Sequence, residues 1–301
     1  MLERMRVDEF LTALLSNVEP LAPLDLPLLD AHGATLAEDI FAGERLVLKG
    51  GSPIRSTTIG LAASIGRGHL PTRPHPRVVI ISAGPDLIEP GNPITGREEY
   101  ETNSWQLTTI VREIGGVAFR VHSIPDNEEE LKDIVEDQLV RADLIVISGE
   151  RNDDSFDLIT RSLNQLGQVT VVDLELENSG RFNFGQIGPD KTPVVTLPGD
   201  PITAYIAMQL FVRPIIRTMI GAKEVFCPSV KAKLERDFRG PSTGRNYLLA
   251  TLSDDNLSVS IFTEQEDFVS LAAANSLVSV NAGDSLKAGD TVTVVILPRI
   301  K

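Results

Sequence analysis

The sequence predicts an α/β protein: a doubly wound, mostly parallel sheet with an N-terminal helical segment and a small C-terminal β-rich domain. Three observations carry that prediction. Short β-branched runs alternate with amphipathic helices between residues 76 and 222. The apolar period drops to two after Cys227-Pro228. The first residues repeat their apolar positions at helix spacing. Strands separated by helices of this length give a parallel sheet with right-handed crossovers.

The elements follow in order. Val7, Phe10, Leu11, Leu14, Leu15 and Val18 mark a helix that Pro20 and Pro23 stop. Leu28 to His32 reads as a second short helix before Gly33, and Ala34 to Phe41 as extended chain. A helix follows Ser56 and ends at Gly66 and Gly68; the proline-rich stretch from Pro71 to Pro76 reads as a linker. These residues, 1–75, form the expected N-terminal helical and linker domain. Strands are expected at Val78 to Ser82, Val117 to Val121, Leu144 to Ser148, Val169 to Leu174 and Val194 to Leu197. Between them, one helix starts near Asn103 and ends at Gly115-Gly116. The next opens on Asn127 with Glu130 three residues on, a capping box. Another runs from about Ser155 to Gly167, and the last begins at Pro201 and ends at Gly221. These place the α/β domain at 76–222. Strands at Val230 to Leu234, Asn246 to Leu252, Leu257 to Phe262, Leu277 to Val280 and Thr291 to Leu297 build the β-rich domain, 226–301.

Composition narrows the function. At 301 residues, with 42% hydrophobic and 23% charged residues, the chain can bury a full core without disulfides or a structural metal. One cysteine, Cys227, excludes an internal disulfide and a Cys-based zinc site. The four histidines are far apart and lack ligand spacing. Forty-two acids against 28 bases give a net charge of −14, which argues against a nucleic-acid partner. The start reads as no signal peptide and no apolar run spans a membrane, so the expected location is the cytoplasm.

Ligands of an open parallel sheet bind beyond the carboxyl ends of its strands. Three expected strands end in polar, glycine-bearing turns: Ser82-Ala-Gly-Pro-Asp86, Ser148-Gly-Glu150 and Leu197-Pro-Gly-Asp-Pro201. The loop after Val121 adds Asp126. The Gly199 turn leads into a helix whose first N–H groups could hold a phosphate or carboxylate. Each turn alone is equally an ordinary turn, with Asp200 as a helix N-cap; their joint placement predicts a crevice on one rim. Trp105 reads as a first-turn helix residue packing near the sheet.

Taken in order, the motifs Arg77-Val-Val-Ile-Ile-Ser-Ala-Gly-Pro-Asp-Leu, Tyr100-Glu-Thr-Asn, Ile124-Pro-Asp, Ser148-Gly, Phe156-Asp157 and Leu197-Pro-Gly-Asp-Pro resemble the molybdopterin molybdenumtransferases, the family that includes gephyrin. The segments Ala42 to Leu46, Ile59 to Gly66, Leu271 to Leu277 and Leu286 to Val292 extend the resemblance over nearly the whole chain. It implies insertion of molybdate into an adenylylated molybdopterin with magnesium, by an elongated homodimer whose cleft both subunits build. Carried onto this sequence, Asp86, Asp126 and Asp157 become the catalytic carboxylates, with Asp86 and Asp157 the metal ligands. Ser82, Gly84, Ser148, Gly149, Arg181, Pro198, Gly199, Asp200 and Pro201 become the pterin-binding set, Arg181 taking the phosphate.

The sequence departs from that pattern in one direction. Phe41 runs straight into the segment that in the family follows a separate domain. A Thr-Gly-Asp-Glu turn is here Ala83-Gly-Pro-Asp86, and a glycine-rich loop is Gly149-Glu-Arg-Asn-Asp-Asp154. A Lys-Pro-Gly-Lys-Pro turn corresponds to Glu177-Asn-Ser-Gly-Arg181, and a Gly/Ser-rich turn to Glu264-Gln-Glu-Asp267. Acids replace lysines and glycines that would hold an anion. One added carboxylate about 4 Å from an anion costs roughly 1 kcal/mol in water, and more away from it. Magnesium could offset part of this at Asp86, Asp126, Glu150, Asp153 and Asp157; a solvated helix N-terminus accounts for the same acids. Two readings follow: a molybdenumtransferase-like protein of reduced activity, or a non-catalytic, gephyrin-like dimeric scaffold that binds a partner-protein peptide between the α/β and β-rich domains.

Overall fold

The computed structural model describes the chain except residues 1, 2, 85, 122–124, 126, 150–152, 177–179, 241–243, 264, 266 and 299–301, and the side chains at positions 3 and 153. Its centre is a seven-stranded sheet of Glu3–Met5 (β1), Arg77–Ser82 (β2), Val117–Arg120 (β3), Leu144–Ser148 (β4), Gly167–Leu174 (β5), Arg181–Ile187 (β6) and Thr192–Leu197 (β7). The order across the sheet is β1-β5-β6-β7-β4-β2-β3. Four strands, β7-β4-β2-β3, run parallel, as does the β1-β5 pair. The exception is β6, antiparallel to both neighbours.

Both faces of the sheet are covered, which is why the middles of its central strands, Val78–Ile81, Leu144–Ile147 and Val194-Val195, are apolar runs without alternation. Val78, Ile80, Val146 and Val195 point to one face, beneath helices Val7–Leu15 (α1) and Asn103–Ile114 (α3) and the continuous run of Pro201–Ala207 (α6), a π-helical turn over Met208–Val212, and Arg213–Met219 (α7). Val79, Ile81, Ile145 and Ile147 point to the other, beneath Glu128–Leu139 (α4) and Asp153–Leu166 (α5). Alternation along one strand thus feeds two cores. Phe10 of α1 ties the terminus to the first core through Phe182, Phe184 and Phe211, with ring centroids 5.4, 5.3 and 5.0 Å away.

Local capping agrees with the sequence. Asn127 Oδ1 accepts from the Glu130 N–H at 2.9 Å, and Gly115 closes α3 at φ +108°. The π turn sits directly before the helix containing Pro214, whose ring cannot supply an N–H to the preceding turn.

The N-terminal region differs from expectation. Residues 28–32 form a turn, with Ala31 N–H on the Pro27 carbonyl at 2.9 Å and Gly33 at φ +85° ending it after one loop. The first half of the proline-rich stretch is strand: His69–Arg73 pairs with Leu24–Pro27 and Thr35–Leu36. Pro71 lacks a donor, but its carbonyl accepts from Ala37 N–H at 2.8 Å. With helix Ser56–Ser64 (α2), these strands bury Leu36, Ile54, Ala62 and Leu70 in a core of their own, whereas α1 packs on the large sheet.

The C-terminal strands Ser229–Leu234 (β8), Arg245–Leu252 (β9), Ser258–Ile261 (β10), Ser276–Asn281 (β11) and Thr291–Ile296 (β12) close into a barrel, in the order β8-β10-β9-β11-β12. Closure leaves no open edge. A short helix that the period-two pattern does not predict, Phe268–Ala273 (α8), is capped by Asp267, whose carboxylate accepts from the Val269 and Ser270 N–H groups.

Candidate functional site

The pairing register decides where the polar turns lie. Ser148 at the end of β4 stands opposite Ser82 of β2 and Leu197 of β7. All three turns therefore leave the same rim of the sheet.

Beneath that rim a buried carboxylate gathers donors. Glu101 is 1% exposed. It accepts from the Ser82 hydroxyl at 2.7 Å, from the Ser104 N–H at 2.7 Å and from the Ser104 hydroxyl at 2.5 Å. Arg120, at the rim end of β3, donates to it at 3.4 Å, to the Ser104 hydroxyl at 2.6 Å, and pairs closely with Glu89. The Ser82 and Ser148 hydroxyls are 3.2 Å apart. A desolvated carboxylate with this many charged and neutral donors is a fixed element of the floor. Trp105 is half exposed rather than packed on the sheet: the Arg120 guanidinium lies 4.3 Å from its ring centroid, and its N–H donates to Glu89 at 3.2 Å.

Above the floor is a cavity of about 170 Å³, walled by Glu101, Asn103, Gly149, Gly199, Pro201 and Phe268 among others. Asn103, 5% exposed, donates from Nδ2 to the Gly199 carbonyl at 3.0 Å. That bond fixes the amide orientation, and its Oδ1 is buried without a partner. Gly149 is required by space: a Cβ there would stand 2.5 Å from Ser155 Oγ and 3.0 Å from Ile159 Cδ1. Asp200 caps α6, accepting from the Thr203 N–H at 2.8 Å and hydroxyl at 2.7 Å, with Pro201 at the first helical turn.

The expected site residues are thus distributed. Gly149, Gly199 and Pro201 wall the cavity; Ser82 and Ser148 lie in its floor; Pro198 and Asp200 belong to the Gly199 turn. Gly84 donates its N–H to the Pro125 carbonyl at 3.0 Å, and exposed Asp86 accepts from the Glu99 N–H through its carbonyl at 2.8 Å. Asp157 and Arg181 face each other: Oδ1 and Nη1 are 3.2 Å apart, and the guanidinium stacks on Phe156 at 4.3 Å. Asp126, Glu150 and the side chain at 153 lie outside the described residues. Among the described residues no group of three or more metal-ligating side chains forms. Glu101, Asn103 and Arg120 are not among the site residues expected from the sequence. Their signal was an acid and an amide inside Tyr100-Glu-Thr-Asn, and a charged residue ending an otherwise apolar strand. Cys227 donates to the Gln209 side-chain carbonyl at 3.6 Å, and burial pushes its thiol pKa up, the direction of an unreactive thiol.

Comparison with known proteins agrees with this architecture. Residues 79–218 match the family described as "Probable molybdopterin binding domain". The chain is 27% identical over 277 residues to molybdopterin molybdenumtransferase 1 of Mycobacterium tuberculosis, covering 89% of this chain and 65% of that protein. It is 29% identical over 274 residues to molybdopterin molybdenumtransferase 2 of the same organism, covering 86% and 67%. A crystal structure titled as a molybdopterin biosynthesis MoeA protein from Pyrococcus horikosii superposes with a TM-score of 0.84 at 18% identity, over 99% of this chain and 100% of that one. The chain spans about two thirds of the length of its mycobacterial relatives.

Proposed function

We propose that this chain is a molybdopterin molybdenumtransferase-like protein acting in molybdenum cofactor biosynthesis, holding a molybdopterin-type molecule at the rim formed by the Ser82, Ser148 and Gly199 turns. The observation that carries this reading is Asn103. Its Oδ1 is buried and unpartnered, and the residue helps wall a cavity to which the Gly149 and Gly199 turns contribute. A pterin offers a flat edge of N–H donors, which such an acceptor suits. At about 170 Å³ the cavity is smaller than a site enclosing a drug-sized ligand, so it takes one end of the molecule. A homodimer whose second copy completes the cleft fits that partial enclosure.

In this proposal molybdate insertion runs below the level of complete relatives. Asp157 and Arg181 neutralise each other instead of presenting a carboxylate to magnesium and a guanidinium to phosphate, and no step is assigned to the metal. The second reading, a scaffold binding a partner peptide, is favoured by α8. Phe268 and Val269 are 44% and 73% exposed where the barrel meets the cavity, a docking surface suited to apolar side chains.

Calorimetric titration of the purified chain with molybdopterin tests the first reading. Binding that weakens about tenfold in Asn103→Ala is expected, since a lost hydrogen bond to a buried group costs about 1 to 2 kcal/mol. No binding by the native chain, with an apolar peptide captured instead and lost in Phe268→Ala, overturns it in favour of the scaffold.

A further inference from the structure

A second cavity lies at the other end of the strands. His75 stands just before the N-terminal end of β2, whereas the rim gathers at its C-terminal end. Segments of the N-terminal unit meet there with the C-terminal ends of α3 and α7 and enclose about 110 Å³. The charged or titratable side chains in its wall are Arg73, His75 and Arg217, and no Asp or Glu lines it. Lys223 reaches the same wall, its Nζ 3.4 Å from the Ser52 hydroxyl and its Cγ 3.1 Å from where a Gly51 Cβ would stand. In a chain of net charge −14, this grouping is unusual.

The surrounding structure uses only part of that charge. Arg73 donates one Nη1 bond to the Leu21 carbonyl at 2.5 Å, Arg217 donates Nε to the Glu224 carbonyl at 3.1 Å, and His75 Nδ1 lies 2.6 Å from the Gly115 carbonyl. No ion pair among the described residues neutralises Arg73, Arg217 or Lys223. Two helix C-termini supply about one negative charge between them, and Glu224 adds one more. The wall itself carries two guanidiniums and no carboxylate; Asp39, which accepts from the Gly50 N–H at 2.7 Å, does not line it. Burial and the neighbouring Arg213 lower the Arg217 pKa, with Glu224 opposing as the smallest influence, so the local field favours an added anion.

We propose that this cavity binds a single tetrahedral oxyanion, phosphate or a chemically similar dianion, through Arg73 and Arg217. The volume is far below that of a nucleotide or pterin site, and guanidinium groups match the tetrahedral oxygens of such ions. The site is separate from the rim and does not depend on the function proposed there.

Thermal melting of the full chain in rising sodium phosphate, against sodium chloride at matched ionic strength, tests it. A saturable rise in Tm in phosphate alone is expected. Its midpoint should shift about tenfold upward in Arg217→Gln and in Arg73→Gln, and stay put in Arg181→Gln at the rim. A parallel molybdate series identifies which ion the site prefers. In the unaltered chain, phosphate should move the Gly51 and Gly115 amide resonances, a readout that survives if a variant fails to fold. A response no different from chloride overturns the proposal. So does a midpoint moved by Arg181→Gln but not by Arg217→Gln, or a phosphate titration that leaves both amides in place.

Discussion

Asp157 and Arg181 hold each other across the mouth of α5 and the start of β6, with Oδ1 3.2 Å from Nη1. Their side chains are 51% and 28% exposed, so the pair contributes at most about 1 kcal/mol to stability. Its larger effect is on charge. Asp157→Asn leaves Arg181 less opposed and should tighten molybdopterin binding, while Arg181→Gln should weaken it. Raising salt should shrink both differences. Titrations giving the two variants equal affinity would remove Arg181 from the site.

The floor of the crevice should be intolerant of change. Glu101→Ala strands the buried Ser82 and Ser104 donors and removes a carboxylate facing Arg120. Breaking a buried charge network of this kind costs about 3 to 5 kcal/mol. Urea denaturation should show that loss as a lower midpoint at unchanged slope. A change under 1 kcal/mol would mean the network contributes little.

Two glycine substitutions should act in opposite directions. Gly149→Ala forces a Cβ to 2.5 Å from Ser155 Oγ and should destabilise by about 1 to 3 kcal/mol. Gly60 lies inside α2 with open space around its Cβ position. Gly60→Ala should stabilise by about 0.5 to 1 kcal/mol through helix propensity. Similar Tm shifts of the same sign would contradict the tight approach at Gly149.

Tyr205 predicts an alkaline limb. Burial, with the Glu113 carboxylate adding to it, pushes its phenol from 10.0 up to about 12. The unfolded chain therefore loses this proton first as pH rises, and the folded state holds more protons between pH 10 and 12. Stability is complete below 10 and falls through that window, by about 2 to 3 kcal/mol for this group. Tyr205→Phe should flatten the decline. Absorbance titration showing all three tyrosines ionising together near 10 would refute it.

How much was legible in the residues depended on the range of the interaction. The amphipathic spacing of α3 and α4, the caps at Asn127 and Asp200, and the apolar runs of β2, β4 and β7 are local properties, and the structure keeps them. Three parallel strands ending in polar turns were enough to place those turns on one rim. What the sequence did not determine are relationships between distant segments. β6 was invisible because Phe182-Asn183-Phe184 has no clean alternation: Asn183 is as buried as Phe182, its N–H bonded to the Thr196 hydroxyl at 2.6 Å. Only tertiary pairing could insert it antiparallel between β5 and β7. The same holds for Glu101, whose partners come from β2, α3 and β3, and for Arg181. Its chemistry as a cation was readable from the chain, but folding set it against Asp157. Residue type and periodicity determine which groups can act; burial and the geometry of approach decide which of them are already satisfied by one another.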